Sequence, residues 1–277
     1  MQWVLVTIVV LAPLSVARAE TVFEGTIIVL KYTQQKASIA ADSRANIFSV
    51  SGNQGYRDDH CKIAALTDEF LFASAGVRGL GTGRVGESWD VNEEARSAFR
   101  TATLLGLGNI VEETARRWGG SVAFRINQML ASQRETLLEE QRTNMFFADA
   151  IFIGLEKGSL SVWRALILDD NGSVRAELRV LEPPGFGAFG MHEIFDEFAI
   201  EERQTSERAK AERAQWEREF SSKDAADRDI LWVIRLVDLT IAFHPRPEKV
   251  GGPIDASELS RGGKVRWYQR KQQCPAN

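Results

Sequence analysis

The sequence predicts an α+β fold in which two β-sheets are sandwiched between helical layers. Three observations carry that expectation. Val- and Ile-rich runs bounded by turn residues occupy residues 22–75 and return at 148–181, and a further short strand is read at 264–269. Two helical stretches separate the first strands from the second group, and further helical stretches separate the second from the third. No internal repeat interrupts this order.

The bulk numbers narrow the class. The 277 residues suffice for one sizeable domain or two small ones. Hydrophobic residues at 44% and charged residues at 26% are ordinary for a globular protein. A net charge of −4, with no basic cluster carrying interleaved aromatics, argues against a nucleic-acid partner. Residues 3–16 form an apolar run broken by Pro13 and followed by Ala17-Arg18-Ala19. The run is too short to span a bilayer comfortably, and the small residues match a signal-peptidase site. Residues 1–19 therefore read as a signal peptide, although Met1-Gln2 carries no Lys or Arg; the alternative is an uncleaved anchor. Cleavage would leave Glu20 first in an exported protein, periplasmic or secreted, with no stable membrane span.

The elements follow in order. Residues 22–32 alternate poorly but are rich in Ile and Val, the pattern of a strand buried on both faces. Residues 33–36 are a polar turn, 37–41 a second strand and 51–55 a loop. Residues 61–66 and 69–75 read as a hairpin around Thr67-Asp68. Glycines follow at 76, 79, 81, 83 and 86; with no Gly-Lys-Ser/Thr behind them they do not make a phosphate loop. Residues 89–118 read as one helix capped by Asn92, with Glu93 and Glu94 in the first turn and Arg116 and Arg117 in the last. Gly119-Gly120 ends it, and 121–138 is a second helix. Residues 148–155 and 160–168 are strands, and Asp170-Asn171-Gly172 is a hairpin turn into 173–181. Asn171-Gly172-Ser173 is also a glycosylation sequon, read first as a turn. Residues 183–187 form a loop. Residues 193–227 carry charges of both signs at helical spacing, as an extended solvated helix does. Residues 229–243 form an apolar helix, and Gly251-Gly252 leads to a strand at 264–269. The tail after Tyr268 reads as poorly ordered.

Chemistry concentrates near the start. Thr26 follows Gly25, Asp42 closes the second strand, and Lys62 and Gly76 come after it. A threonine freed at its amine carries nucleophile and base on one residue, since an α-amine of pKa about 8 can take the hydroxyl proton. A buried lysine beside that amine helps keep it neutral, because like charges oppose each other. The aspartate would hold the lysine, and the Gly76 N–H would receive the oxyanion. A buried lysine without a partner is costly, so Lys62, if inside, should be found with Asp42. Arg44 is placed to brace the same cluster.

The segments Gly25-Thr-Ile-Ile-Val-Leu-Lys-Tyr32, Ile39-Ala-Ala-Asp-Ser-Arg44, Cys61-Lys-Ile63 and Phe72-Ala-Ser-Ala-Gly76 together resemble the start of 20S proteasome β-type subunits and their bacterial relatives. The match covers residues 24 to 80 best and runs more weakly to 268. The resemblance implies the four-layer αββα fold of N-terminal nucleophile hydrolases over residues 26–268, with 20–25 a short propeptide or N-terminal extension and 269–277 a C-terminal tail. It also implies that Thr26 acts after cleavage of the Gly25–Thr26 bond, and that the protein assembles with copies of itself, as rings. Its spacing of sixteen to Asp42 and of fourteen between Lys62 and Gly76 fits the family. A second register places Thr26 at the family's second threonine; Gly25 then takes the nucleophile position and the site is dead. Both registers stay open.

This chain also departs from the pattern. Gly185-Phe186-Gly187 stands where relatives carry a serine between glycines. Arg246-Pro-Glu-Lys-Val250 precedes Gly251-Gly252 where they carry an aspartate and a serine; Glu248 is the one acid there.

The expectation is an exported threonine peptidase or amidohydrolase acting on a peptide or amide, with no metal or organic cofactor. The alternative is a noncatalytic proteasome-like subunit acting by binding or assembly. His60, His192 and His244 form no ligand pair at helical spacing. Cys61 and Cys274 are the only cysteines. An oxidising compartment permits a bridge between them, but no spacing places them together, so two separate thiols are the favoured expectation.

Overall fold

A computed structural model describes residues 20–24, 26–49, 54–81, 88–106, 108–144, 146–170, 172–191, 193–199, 206–221, 223 and 225–274. The signal-peptide reading of 1–19, Gly25, the loop start at 51–53, Gly83, Gly86, Asn171, His192 and residues 275–277 lie outside the described residues. The chain is a mixed α+β protein built on two antiparallel sheets.

The larger sheet runs β11 (Ser173–Val180), β10 (Ser159–Asp170), β9 (Ala148–Glu156), β7 (Phe70–Gly81), β1 (Glu20–Glu24), β4 (Ala45–Ser49), β5 (Gln54–Arg57). Strands β6 (Ile63–Thr67) and β8 (Trp89–Asp90) also pair with β7. The smaller sheet runs β12 (Gly185–Gly190), β2 (Ile27–Tyr32), β3 (Lys36–Ala41), β13 (Asp255–Ser260), β14 (Arg266–Gln269). Helices are α1 (Val91–Leu104), α2 (Ile110–Asn144), α3 (Glu193–Ala199), α4 (Glu207–Phe220) and α5 (Ala225–Phe243).

Three apolar cores hold these elements. Phe72 and Phe152 meet Trp118, Val122 and Ile126 of α2 in the first. Ile28, Leu30 and Ile39 meet Leu71, Ala73 and Ile151 in the second. Ile27, Val29 and Ala40 meet Val233, Leu236 and Val237 of α5 in the third. Strand β2 thus sends alternate side chains into two cores, which is why its sequence shows apolar residues without a polar alternation.

The run at 22–32 is two strands, not one. Strand β1 belongs to the larger sheet and β2 to the smaller, so the chain changes sheets across residues 25 and 26. Apolar pattern alone cannot report this, because Val22 and Phe23 of β1 and Ile27 to Leu30 of β2 read as one interrupted apolar run.

Glycines account for the helix corrections. The expected helix at 89–118 stops after Leu104, where Gly106 adopts φ +64°. Its cap is Asp90, whose carboxylate accepts from the Asn92 N–H at 2.8 Å. Gly119-Gly120, expected to end a helix, lie inside α2. A Cβ on Gly119 would stand 2.8 Å from the Ala176 Cβ, so this glycine allows close packing of α2 on β11. Residues 185–187, expected as loop, open β12 and pair with β2. The charged stretch at 193–227 is not one solvated helix: α4 starts at the Ser206 cap and is fastened to α5 by Trp216 on Trp232, centroids 4.5 Å apart.

The cysteines correct a further expectation, because Cys61 and Cys274 form a disulfide with Cα atoms 5.5 Å apart. Antiparallel return of β14 on β13 brings the C-terminal segment back beside Asp59, whose carbonyl accepts from Gln273 Nε2 at 3.3 Å. The tail through residue 274 is thereby fixed rather than poorly ordered. Among the described residues no helix is long and apolar enough to cross a membrane.

Candidate functional site

The site forms where β2 begins and β3 ends. Ile28 lies opposite Ala41, so Ile27 stands opposite Asp42, and the Asp42 N–H donates to the Ile27 carbonyl at 3.3 Å. The Asp42 side chain has no exposed surface. Its Oδ1 accepts from Lys62 Nζ at 2.8 Å and from the Ile27 N–H at 3.2 Å. Its Oδ2 accepts from the N–H groups of Gly251 at 2.9 Å and Arg44 at 3.3 Å. Burial pushes the Asp42 carboxyl up; the Lys62 ammonium and the Gly251 and Ile27 N–H groups pull against that shift. Lys62, just ahead of β6, is equally buried. The expected pair is therefore formed and carries a full set of donors on the carboxylate, as a buried charge requires.

Thr26 is one residue from Ile27 and is 1% exposed. Its carbonyl accepts from the Met191 N–H at 2.7 Å. Its hydroxyl has no hydrogen-bond partner among the described residues. Gly190, at φ +84°, lets β12 end against it; a Cβ there would clash with the Thr26 carbonyl. Gly76 sits in β7 at φ +92°, and a Cβ would clash with the Phe147 carbonyl and approach the Ala148 Cα to 3.0 Å.

Strand β1 connects these parts. Glu24 is the register partner of Gly76, and the chain then runs through Gly25 to Thr26 and on to Ile27 beside Asp42. In the sheet order, β1 lies between β7 and β4. Residues 20–24, expected as a propeptide or extension, are thus an interior strand of the larger sheet.

Arg44 hydrogen-bonds Asp42 through its backbone N–H; its guanidinium makes a bidentate pair with Asp58, both bonds at 2.7 Å, and acts on Asp42 only through its charge. Glu248 is exposed and Val250 is buried, so the backbone of Gly251, not an acid, reaches Asp42 from this segment.

A second buried ion pair escaped the sequence reading. Lys271 Nζ lies 2.5 Å from Asp255 Oδ2, with side chains 4% and 0% exposed. Asp255 is the register partner of Ala41, next to Asp42. Neither residue belongs to a recognisable spacing; only the disulfide, had it been expected, would have pointed to the tail.

His60 precedes Cys61, and burial with the nearby Arg78 guanidinium pushes its imidazole down to about 4. The neutral ring is favoured in the folded state, so the stability it contributes is present above the ordinary value of 6.5 and is lost as pH falls toward about 4. Between pH 7 and 5 this loss is expected to be about 1–2 kcal/mol after solvent screening of the partly exposed ring. Urea titrations of the wild type and His60→Gln at both pH values measure it; equal losses in both would remove His60 as the source.

Among the described residues no group of three or more His, Cys, Asp or Glu is placed to hold a metal ion. No protein-family model matches the chain, and no curated protein is significantly similar to it.

Proposed function

We propose that this protein is an exported N-terminal-threonine hydrolase that cleaves peptide or amide bonds after cutting its own Gly25–Thr26 bond. The observation that carries the reading is the buried Asp42 carboxylate, shared between Lys62 Nζ and the N–H of the residue after Thr26. The proposed fold is the four-layer αββα sandwich of proteasome β-type subunits. The three apolar cores support it, with α1 and α2 on the larger sheet, the two sheets against each other, and α5 on the smaller. The Cys61–Cys274 disulfide supports an oxidising compartment.

In self-cleavage the Thr26 hydroxyl adds to the Gly25 carbonyl carbon. The C–N bond breaks as the Thr26 nitrogen takes the proton, leaving an ester. Water hydrolyses that ester, releasing the segment that ends at Gly25 as an acid and freeing the Thr26 amine and hydroxyl. In turnover the amine takes the hydroxyl proton while oxygen attacks the substrate carbonyl, and the leaving amine receives that proton; water then hydrolyses the acyl ester on Thr26, releasing the acid and restoring the hydroxyl. The Gly76 N–H stabilises the tetrahedral oxyanion. Departure of β1 would leave an antiparallel slot between β7 and β4, and an extended peptide backbone complements such a slot.

One observation favours the noncatalytic alternative. Strand β1 pairs on both edges, and its loss would expose the backbone groups of β4 and β7. The intact mass and N-terminal sequence of protein from the exported fraction separate the two readings. A start at Thr26 is the expected outcome. A start at Glu20 that persists through long incubation would overturn the hydrolase reading and leave a binding or assembly role.

A further inference from the structure

We propose that Lys271 is a positioning residue of the Thr26 site, held in place by Asp255 and by the disulfide-tied tail. The contacts around Asp42 form a closed ring. Asp42 accepts from the Gly251 N–H, and four residues on, Asp255 begins β13 opposite Ala41. Asp255 pairs with Lys271 Nζ and accepts the Lys271 N–H at 3.1 Å. The Lys271 carbonyl accepts from the Cys274 N–H at 3.1 Å, and Cys274 is bonded to Cys61. Cys61 adjoins Lys62, which returns to Asp42. Apart from the four-residue step from Gly251 to Asp255, every link is a backbone neighbour, a hydrogen bond, an ion pair or a disulfide.

Two buried lysines and two buried aspartates therefore stand side by side. Burial pushes the Lys271 ammonium down; Asp255 opposes that shift, and Lys62 and Asp42 are close enough to act on it in opposite senses. A second buried ion pair is a poor way to stabilise a fold, because apolar replacements of similar volume are often as stable. Its use here is to fix geometry. With Asp255 anchored, the Gly251 N–H stays on Asp42 Oδ2, and Oδ1 stays aimed at Lys62 and at Ile27. The catalytic consequence rests on the proposed role of Thr26; the geometric one does not.

The test is amide hydrogen exchange in the full-length protein. The double variant Asp255→Asn/Lys271→Met removes both charges and leaves no unpaired ion behind. It is expected to speed exchange at the Ile27 and Gly251 amides about tenfold or more, the value of one charge-assisted hydrogen bond. The amides of Phe152 and Val162, in β9 and β10 of the larger sheet, make no hydrogen bond to Asp42 or Asp255 and are expected to keep their wild-type rates. Lys271→Arg, which keeps the charge, is expected to restore the wild-type pattern. Unchanged rates at Ile27 and Gly251, equal acceleration at all four amides, or an arginine variant that behaves as the double variant would each overturn the proposal. If the double variant does not fold, wild-type protein with the disulfide reduced gives the same comparison. A wild-type chain that never leaves Glu20 defeats the hydrolase reading but leaves this readout intact. In protein that starts at Thr26, the double variant is expected to lower kcat with KM held, since both residues act through Asp42.

Discussion

Replacing Lys62 by methionine is expected to destabilise the protein by about 3–5 kcal/mol, the usual cost of leaving one member of a buried ion pair without its partner. Domains of this kind are stable by only about 5–15 kcal/mol in all, so much of the folded population is at stake. Methionine nearly matches lysine in volume, so the loss is electrostatic rather than a cavity. Asp42 would keep its three backbone N–H donors but face a buried site with no cation on Oδ1. The pH dependence has a definite sign. Burial already raises the Asp42 carboxyl above its ordinary value of 3.8, and removing Lys62 takes away the strongest opposing influence. A carboxyl raised in the folded state contributes stability below its unfolded pKa and loses it as pH rises through the folded one. The deficit of the variant should therefore shrink as pH falls toward 4. Adding Asp42→Asn should recover most of the loss at neutral pH, and the cycle of the four proteins measures the pair. A single-variant loss under about 1 kcal/mol would mean that the pair is effectively hydrated, as at a surface.

The sequence made part of this site legible for a physical reason. Asp42 and Lys62 are residue types that rarely go inside alone, and both flank apolar strands, so their partnership could be expected from chemistry. Thr26 and Gly76 entered only through the resemblance to proteasome β-type subunits, and their roles stay part of the proposal. The remaining determinants are long-range and carry no local signal. Nothing near Gly190 or Met191 announces that β12 will close over the Thr26 carbonyl, because that contact depends on β12 pairing with β2. Nothing near Lys271 announces its return to Lys62, because that depends on β14 folding back on β13; the one hint is that Cys61 and Cys274 are the only cysteines. Glycine shows the same limit inside the helices. Gly106 ends α1 through its backbone, whereas Gly119 continues α2 because Ala176 lies close to it. Residue type is the same in the two places; the neighbour across space decides the outcome.

Thr26→Val separates chemistry from stability most sharply. Valine has nearly the same shape as threonine but lacks the hydroxyl. Here the hydroxyl is buried with no partner among the described residues, and a buried unpaired hydroxyl is unfavourable. The variant is therefore expected to be as stable as the wild type or more stable, by up to about 1 kcal/mol. On the proposed function its chemistry should vanish, because loss of a catalytic nucleophile lowers kcat by a factor on the order of 10⁶. The same substitution should keep the N-terminus at Glu20, since self-cleavage uses the same oxygen. Thr26→Ala should match it in activity, while Thr26→Ser, which keeps an oxygen at this position, should retain cleavage and some turnover. Mass spectrometry of the N-terminus, thermal unfolding and amide-substrate turnover on the three variants read all of this together. Burying a hydroxyl that has no partner among the described residues adds nothing to stability, which is in keeping with the role proposed for Thr26. Turnover that survives Thr26→Val would assign the chemistry to another group and leave Asp42 and Lys62 as a purely structural pair.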